Sequence, residues 1–337
     1  MPLSLKFAKF RIQLEAIDTI HLPAYKGSSL RGALGHALKR VGCTCDAPKS
    51  ISTEQIGGCV YHYLFEPVAP EGKGGPRGIR HVPQPFILDP PLEEKTEYAP
   101  GESLTFEFLL IGKAVVCLPY FLVAIELMGI HGVGKGKGRC RVSGQWILNA
   151  AGEATPLDLK LISLDEDGRD LITPKEIERL HPQPTTLDAV TLDFLTPTRL
   201  KFGSHLCNSP EFHVLYRNLS RRLSLLSFYH CGGDWKNSID EAIKRAESIR
   251  LVRHRLDWED WRRYSNRQER EMYLGGFLGR LGFRGELSPF WPHLILGTHL
   301  HVGKGATFGL GRYRMAAGSG EDPFLATPGS SVPAAVK

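Results

Sequence analysis

Between Gly275 and Met315 the chain crowds glycines beside Arg280, Arg284, Lys304, Arg312 and Arg314, and within that stretch no acid follows Glu286. Glycine lets a backbone pass close to a ligand because no Cβ stands in the way. Set among fixed positive charges, such turns suit a polyanion. A shorter version of the pattern occurs earlier, where His131-Gly-Val-Gly-Lys-Gly-Lys-Gly138 echoes His301-Val-Gly-Lys-Gly305. Two similar endings in one chain of 337 residues imply a duplicated unit, and a chain of this length suits two domains better than one core.

The formal net charge of +6 is too modest by itself to separate an RNA binder from a metabolic enzyme. Its distribution says more. Lys26, Arg31, Lys39 and Arg40 lie in one acid-free stretch and Lys135, Lys137, Arg139 and Arg141 in another. Glu153, Asp158, Asp165, Glu166, Asp167, Asp170, Glu176 and Glu178 crowd the middle, and the segregation predicts one basic face. No basic start leads into an apolar run, and no stretch reads as long enough to span a bilayer. Seven cysteines without an export signal point to a reducing cytoplasm rather than a disulfide framework.

In chain order, Leu3, Leu5 and Phe7 alternate in one phase and Phe10, Ile12 and Leu14 in the other, which predicts a strand with a bulge near Lys9. Gly27 to Val41 reads as a helix capped by Ser28 or Ser29, with Leu30, Ala33, Leu34, Ala37, Leu38 and Val41 on one stripe and His36 and Arg40 on the far side. Residues 66 to 100 read as a long loop before a strand at Ser103 to Ile111. A second helix over Val115 to Met128, a basic glycine turn at Gly132 to Gly138 and a strand at Arg141 to Leu148 complete a ferredoxin-like order. The acidic stretch 149–184 is the expected boundary, dividing an N-terminal domain over 1–150 from a C-terminal one over 185–315. Beyond it come a strand at Val190 to Phe194, a helix along Phe212 to Leu226, and a helix to Arg250 capped by Ser238 and Glu241. A short helix opened by Ser288-Pro289 and a last strand over Ala306 to Met315 follow. From Ala316 onward Gly, Ser, Pro and Ala without periodicity predict a disordered tail.

Several motifs carry chemistry. Gly129-x-x-x-x-Gly134-Lys135 imitates a nucleotide-binding loop, but Gly136 stands where a hydroxyl should hold magnesium. Cys43-x-Cys45 followed by Cys59-x-x-His62 offers four soft ligands in an order that suits a structural zinc, with buried or free thiols as the alternative. Arg253, His254, Arg255, Trp258, Trp261, Arg262, Arg263 and Tyr264 interleave cations with rings, which suits unpaired bases or, equally, a solvated helix face. No carboxylate–histidine cluster suggests a catalytic metal.

The run Gly303-Lys304-Gly305-Ala306-Thr307-Phe308-Gly309-Leu310-Gly311-Arg312-Tyr313 resembles the glycine-rich loop and final strand of the RAMP superfamily, and most closely the CRISPR-associated endoribonucleases that process precursor CRISPR RNA. Pro23-Ala24-Tyr25-Lys26-Gly27 with Leu30-Arg31-Gly32-Ala33-Leu34-Gly35, Phe194-Leu195-Thr196-Pro197, and Tyr264-Ser265-Asn266-Arg267-Gln268 agree with it. The resemblance implies an α+β protein of two tandem ferredoxin-like, RRM-like domains. It further implies metal-independent cleavage of repeat RNA, with no cofactor for catalysis. On this resemblance His36 is the candidate acid or base, with Tyr25, Lys39 and Arg40 orienting the phosphate. Lys26, Arg31, Lys135, Lys137, Arg139, Lys304, Gly303, Gly305, Gly309, Gly311 and Arg312 are the candidate RNA contacts. Repeat RNA is the expected partner, with CRISPR effector subunits as further ones and a monomer or homodimer as the assembly. A non-catalytic RNA-binding subunit of an effector complex is the alternative.

Overall fold

The structure is a computed structural model; it describes residues 4–43, 45, 59–69, 82–160, 162, 168, 170–203, 205–235, 240–260 and 275–318, and the backbone of 239, 262–265 and 270–273. The chain divides into two compact units, one of residues 1–173 with 225–235 and the other of 174–224 with 236–337.

The first unit contains β1 (Phe7–Ala16), β2 (Ile20–His21), α1 (Gly27–Gly42), α2 (Val60–Phe65), β3 (Phe86–Asp89), β4 (Glu97–Tyr98), β5 (Ser103–Ile111), α3 (Leu118–His131), β6 (Cys140–Leu148) and β7 (Ala154–Pro156). Its main sheet runs β3-β5-β1-β6-β7 with antiparallel neighbours. Taking β1, β3, β5 and β6 as the four strands, with α1 and α3 as the crossovers, this is the βαββαβ order of a ferredoxin-like unit. Ala8, Phe10, Ile12 and Leu14 share one face of β1 and form a core with Leu30, Leu34 and Leu38 of α1 and Phe121 and Ile125 of α3.

The second unit contains α4 (Pro174–Leu180), β8 (Ala189–Thr198), β9 (Leu200–Phe202), β10 (His205–Cys207), α5 (Phe212–His230), α6 (Ile239–Ala246), β11 (Arg250–Glu259), β12 (Arg262–Ser265), β13 (Arg270–Tyr273), β14 (Gly276–Arg284), α7 (Trp291–Leu300) and β15 (Tyr313–Gly318). The last turns of α5 group with the first unit. Its four-stranded sheet runs β11-β14-β8-β15, the same order as in the first unit. Phe212 of α5 stacks edge-on against Phe283 of β14 and Phe290 ahead of α7, which fastens helices to sheet. The two tandem ferredoxin-like folds are therefore present.

Local departures have physical causes. β1 has no bulge at Lys9, because Phe7 points to the opposite face and is buried there beside a backbone pairing with Ile172; the shift in register falls between Gln13 and Leu14. No serine caps α1, whose N-cap is Lys26. β3 lies within the expected loop of residues 66–100: all four of its residues are buried, which erases the alternation that marks a half-exposed strand. The helix expected from Val115 begins as a 3-10 turn over Gly112–Cys117 and becomes α3 at Leu118, with Pro119 in the first turn where its missing N–H costs nothing. Together these 20 residues are apolar and long enough to cross a membrane by length and composition, contrary to expectation, but more than half of the segment is buried inside the protein.

In the second unit α6 ends at Ala246 and Arg250 opens β11, while Ser238 lies outside the described residues. The basic and aromatic run is an edge strand, not a helix face, and Arg253, His254, Arg255 and Trp258 are exposed. The final strand starts at Tyr313, since Gly305 and Gly309 hold positive φ and fold Ala306–Phe308 into a 3-10 turn. Ala316, Ala317 and Gly318, expected in the tail, pair with β8, and the tail beyond lies outside the described residues.

Candidate nucleic-acid interface

α1 forms because its apolar residues recur at helical spacing, and that same spacing leaves His36, Lys39 and Arg40 exposed. His36 and Arg40 stand one turn apart on one face. The Nη1 of Arg40 meets Nε2 of His131, the last residue of α3. His131 Nδ1 lies 2.8 Å from the Leu127 carbonyl oxygen, which can only accept, so Nδ1 carries the proton and Nε2 turns its lone pair to the guanidinium. The Lys39 ammonium sits 5.8 Å from the Tyr61 ring centroid of α2.

His131 opens the first glycine turn. Val133 bridges Gly138, and the Lys135 amide donates to the His21 carbonyl at 2.9 Å, which pins the turn to β2. A Cβ on Gly134 would overlap that same carbonyl oxygen. Between these anchors Lys135, Gly136 and Lys137 are exposed, and Lys137 holds a φ of 54° that lysine seldom adopts. Lys135 and Lys137 meet no carboxylate among the described residues. Arg139 does: its Nε and Nη2 donate to Asp18 at 2.7 and 3.1 Å, and that hydrogen-bonded pairing holds the Asp18 carboxyl below its ordinary range.

The other expected contacts of this unit are placed differently. Lys26 is fully buried, and its ammonium donates to the carbonyls of Glu93 at 2.6 Å and Ala24 at 3.0 Å, so it is a structural cation and not an RNA ligand. Burial lowers its pKa, only partly offset by Glu93. Arg31 is half-buried, with its guanidinium 4.9 Å from the Phe65 ring centroid. Tyr25, also half-buried, precedes α1. His230 is buried between Tyr63 and the Pro83 carbonyl, as befits a core role. At the end of α1, Cys43, Cys45, Cys59 and His62 come together with all four ligand atoms within 4.8 Å of one another.

In the second unit the turn from Gly303 to Gly311 is built into the fold. The Lys304 amide donates to Arg199, Gly309 to Ala306 and Gly311 to Pro197, while Thr196 Oγ1 donates to the Gly309 carbonyl and accepts from the Arg312 amide. The Gly309 and Gly311 amides are thus engaged inside the protein, and their expected role as RNA donors is replaced by a conformational one. What faces solvent is Lys304, whose pKa is lowered by burial and then by the neighbouring Lys201 ammonium and Arg199. Crowded cations of this kind are relieved by an anion. Arg312 is half-buried, and Arg314 and Arg280 flank Asp193 at 3.7 and 3.6 Å.

Sequence reasoning passed over His131, Arg199 and Lys201. His131 was visible only as the first letter of a repeated turn, and Arg199 and Lys201 as cations just past Thr196-Pro197.

Two ferredoxin-like units carrying exposed basic turns and a histidine–arginine face define the class: a tandem ferredoxin-like protein. Residues 5–175 match the family model AF_1859_N, an N-terminal domain, and residues 192–313 match the one described as CRISPR-associated endoribonuclease Cas6. The chain belongs to the AF_1859_N family through its N-terminal half and carries a domain of the CRISPR-associated endoribonuclease Cas6 kind over residues 192–313. A search of curated protein sequences returns no match. Among solved structures, a chain of a partial Cas6-RT-Cas1–Cas2 complex is 14% identical with a TM-score of 0.60, over 94% of this chain and 47% of that one. This chain therefore spans about half the length of that relative. A Cas6 product complex (16% identical, TM-score 0.52, 92% of this chain and 98% of that one) and Thermus thermophilus Cas6 (15%, 0.52, 93% and 99%) are similar over nearly their whole length. At these identities the likeness establishes the fold.

Proposed function

We propose that this protein binds the repeat RNA of a CRISPR precursor transcript and cleaves it by metal-independent transesterification. The observation that carries the reading is the contact of Arg40, on the exposed His36 face of α1, with His131, which opens the turn carrying the exposed Lys135 and Lys137. In the reaction the 2′-oxygen forms a bond to phosphorus, the bond from phosphorus to the 5′-oxygen breaks, and the proton leaving the 2′-hydroxyl is balanced by one delivered to the 5′-oxygen. The products are a 2′,3′-cyclic phosphate and a 5′-hydroxyl. His36 exchanges one of these protons, as base or acid, a role worth about a hundred- to ten-thousandfold. Arg40, held by His131, stabilises charge on the phosphorane, and Lys39 supports it from the Tyr61 side.

Tyr25, just ahead of α1, orients the phosphate. Lys135 and Lys137 hold the strand in the first unit, and Lys304 with Lys201 holds it in the second. Repeat RNA is the primary partner. The Cas6-RT-Cas1–Cas2 complexes among the structural relatives support other Cas proteins as a second class.

The test is incubation of the purified chain with its repeat RNA in EDTA. Site-specific cleavage by wild type, lost in His36→Ala while binding survives, supports the reading. Tight binding without cleavage by wild type would establish the alternative, a non-catalytic RNA-binding subunit, and full activity in His36→Ala would remove His36 from the chemistry.

A further inference from the structure

We infer that Cys43, Cys45, Cys59 and His62 form a structural zinc site that locks the end of α1 to α2. The spacing Cys43-x-Cys45 is one residue shorter than the usual zinc pair, so sequence alone leaves the thiols free to be ordinary. Geometry decides the matter. The three sulfurs and one ring nitrogen lie within 4.8 Å of one another, although up to 19 positions separate them in the chain. Tetrahedral zinc with bonds of about 2.3 Å to sulfur and about 2.0 Å to nitrogen sets its donors roughly 3.5–3.8 Å apart, so the cluster needs only a small contraction.

The surroundings fit a metal better than thiols at rest. Cys59 Sγ lies 3.0 Å from Nδ1 of His62, and both residues are buried. The other nitrogen, Nε2, faces the Glu66 carboxylate at 3.9 Å. A carboxylate on that side favours the proton on Nε2, and Nδ1, which faces the Cys59 sulfur, is the nitrogen placed to take a metal. Three thiols and a neutral imidazole binding Zn²⁺ release three protons and leave a site of net charge −1. Lys39 and Arg40, in the last turn of α1, supply the compensating positive charge.

The consequence reaches the nucleic-acid face. α2 is a six-residue helix, too short to hold itself, and it carries the Tyr61 ring under Lys39. With the metal in place, α1 and α2 are one body and Lys39 has a fixed seat; without it the two are joined by packing and by the contacts of Arg31 and Lys39 with the Phe65 and Tyr61 rings. The site needs no RNA to be tested, so its failure leaves the proposed cleavage standing, and failure of cleavage leaves the metal content unchanged.

The full chain, expressed in zinc-supplemented medium and dialysed without chelator, is expected to retain one zinc per chain by plasma mass spectrometry. Cobalt exchanged into it should give the thiolate charge-transfer band and intense visible bands of a tetrahedral site. His62→Ala and Cys59→Ser should lose the metal. His62→Cys, which keeps four ligands, should retain it, so a misfolded single variant does not decide the case. Zinc below about a tenth of an equivalent in wild type, the same zinc content in Cys59→Ser as in wild type, or a disulfide joining two of these cysteines in protein purified under reducing conditions would each overturn the site.

Discussion

The two glycine turns are written in nearly the same letters and do different things. In the first, Gly132, Gly134 and Gly138 are wedged against backbone carbonyls of their own unit, while Gly136 has open space around it and stands between two exposed lysines. The turn is a clamped base with a free tip. In the second, Gly303 and Gly311 press on the Arg199 and Val302 carbonyls, and the segment between them winds into a 3-10 turn that Thr196 ties from both sides. Only Lys304 is left outside. A glycine-and-lysine motif therefore marks where a backbone is compressed, and the exposed residues between the compressed points decide whether it can hold a ligand.

Gly311→Ala is expected to have the largest effect. At φ 74° an alanine is strained, and its Cβ would overlap the Val302 oxygen, so strain and overpacking together cost about 3 kcal/mol. Gly136→Ala, at φ 83° in open space, should cost only about 1 kcal/mol. Urea denaturation of the two variants measures the contrast, and equal losses would dissolve the distinction between clamped and free glycines.

Histidines extend the comparison from turns to units. Those of the first unit's face, His36 and His131, are exposed, whereas His293 in the second is packed beside Tyr216 Oη at 2.6 Å, and burial pushes its pKa down to about 4. Its folded pKa lies below the unfolded value, so between pH 6.5 and about 4 the unfolded chain binds the proton and the folded chain does not. Stability is unaffected above that window and falls as pH drops through it, by about 2 kcal/mol at pH 5. His293→Gln should flatten this dependence in urea melts at pH 7 and 5. If His36→Gln flattened it equally, the assignment to the second unit would fail.

What the sequence made legible follows the same line between clamped and free. Amphipathic helices were plain, because Leu30, Leu34 and Leu38 recur at a spacing that only a helix brings to one side. The ferredoxin order was legible in both halves except at β3 and β11. β3 is buried on both faces and shows no alternation, and β11 is exposed on both and shows none either. The face of α1 was read from His36 and Arg40, but His131 was not, since its approach to Arg40 depends on how α3 ends against α1, a tertiary fact with no local signature. Lys26 failed in the opposite sense. A lysine beside a helix start looks like a surface cation, and nothing nearby in sequence announces the Glu93 carbonyl that buries it.

Nucleic-acid binding separates the tips more gently. Removing Lys135 and Lys137 together should lower the slope of log affinity against log salt by about 1.4, two phosphate contacts at about 0.7 each for a single strand. The same pair of alanines at Lys201 and Lys304 should lower it by a similar amount if both sit against phosphate. Fluorescence anisotropy across a salt series gives both slopes. An unchanged slope for the first pair would make that turn a bystander.

The smallest effect carries an unusual sign. Lys137 occupies a φ of 54°, where glycine is at ease and lysine is not, so Lys137→Gly should raise stability by about 1 kcal/mol. The same change removes an exposed ammonium from the tip and should weaken RNA binding and lower the salt slope by about 0.7. A residue that costs the fold and serves the ligand is the signature of strain held for function. Urea melts and the salt series on this one variant therefore pull in opposite directions if the first turn holds RNA. A variant that gained stability with no loss of affinity would leave Lys135 as the only cation of that tip with a claim on the strand.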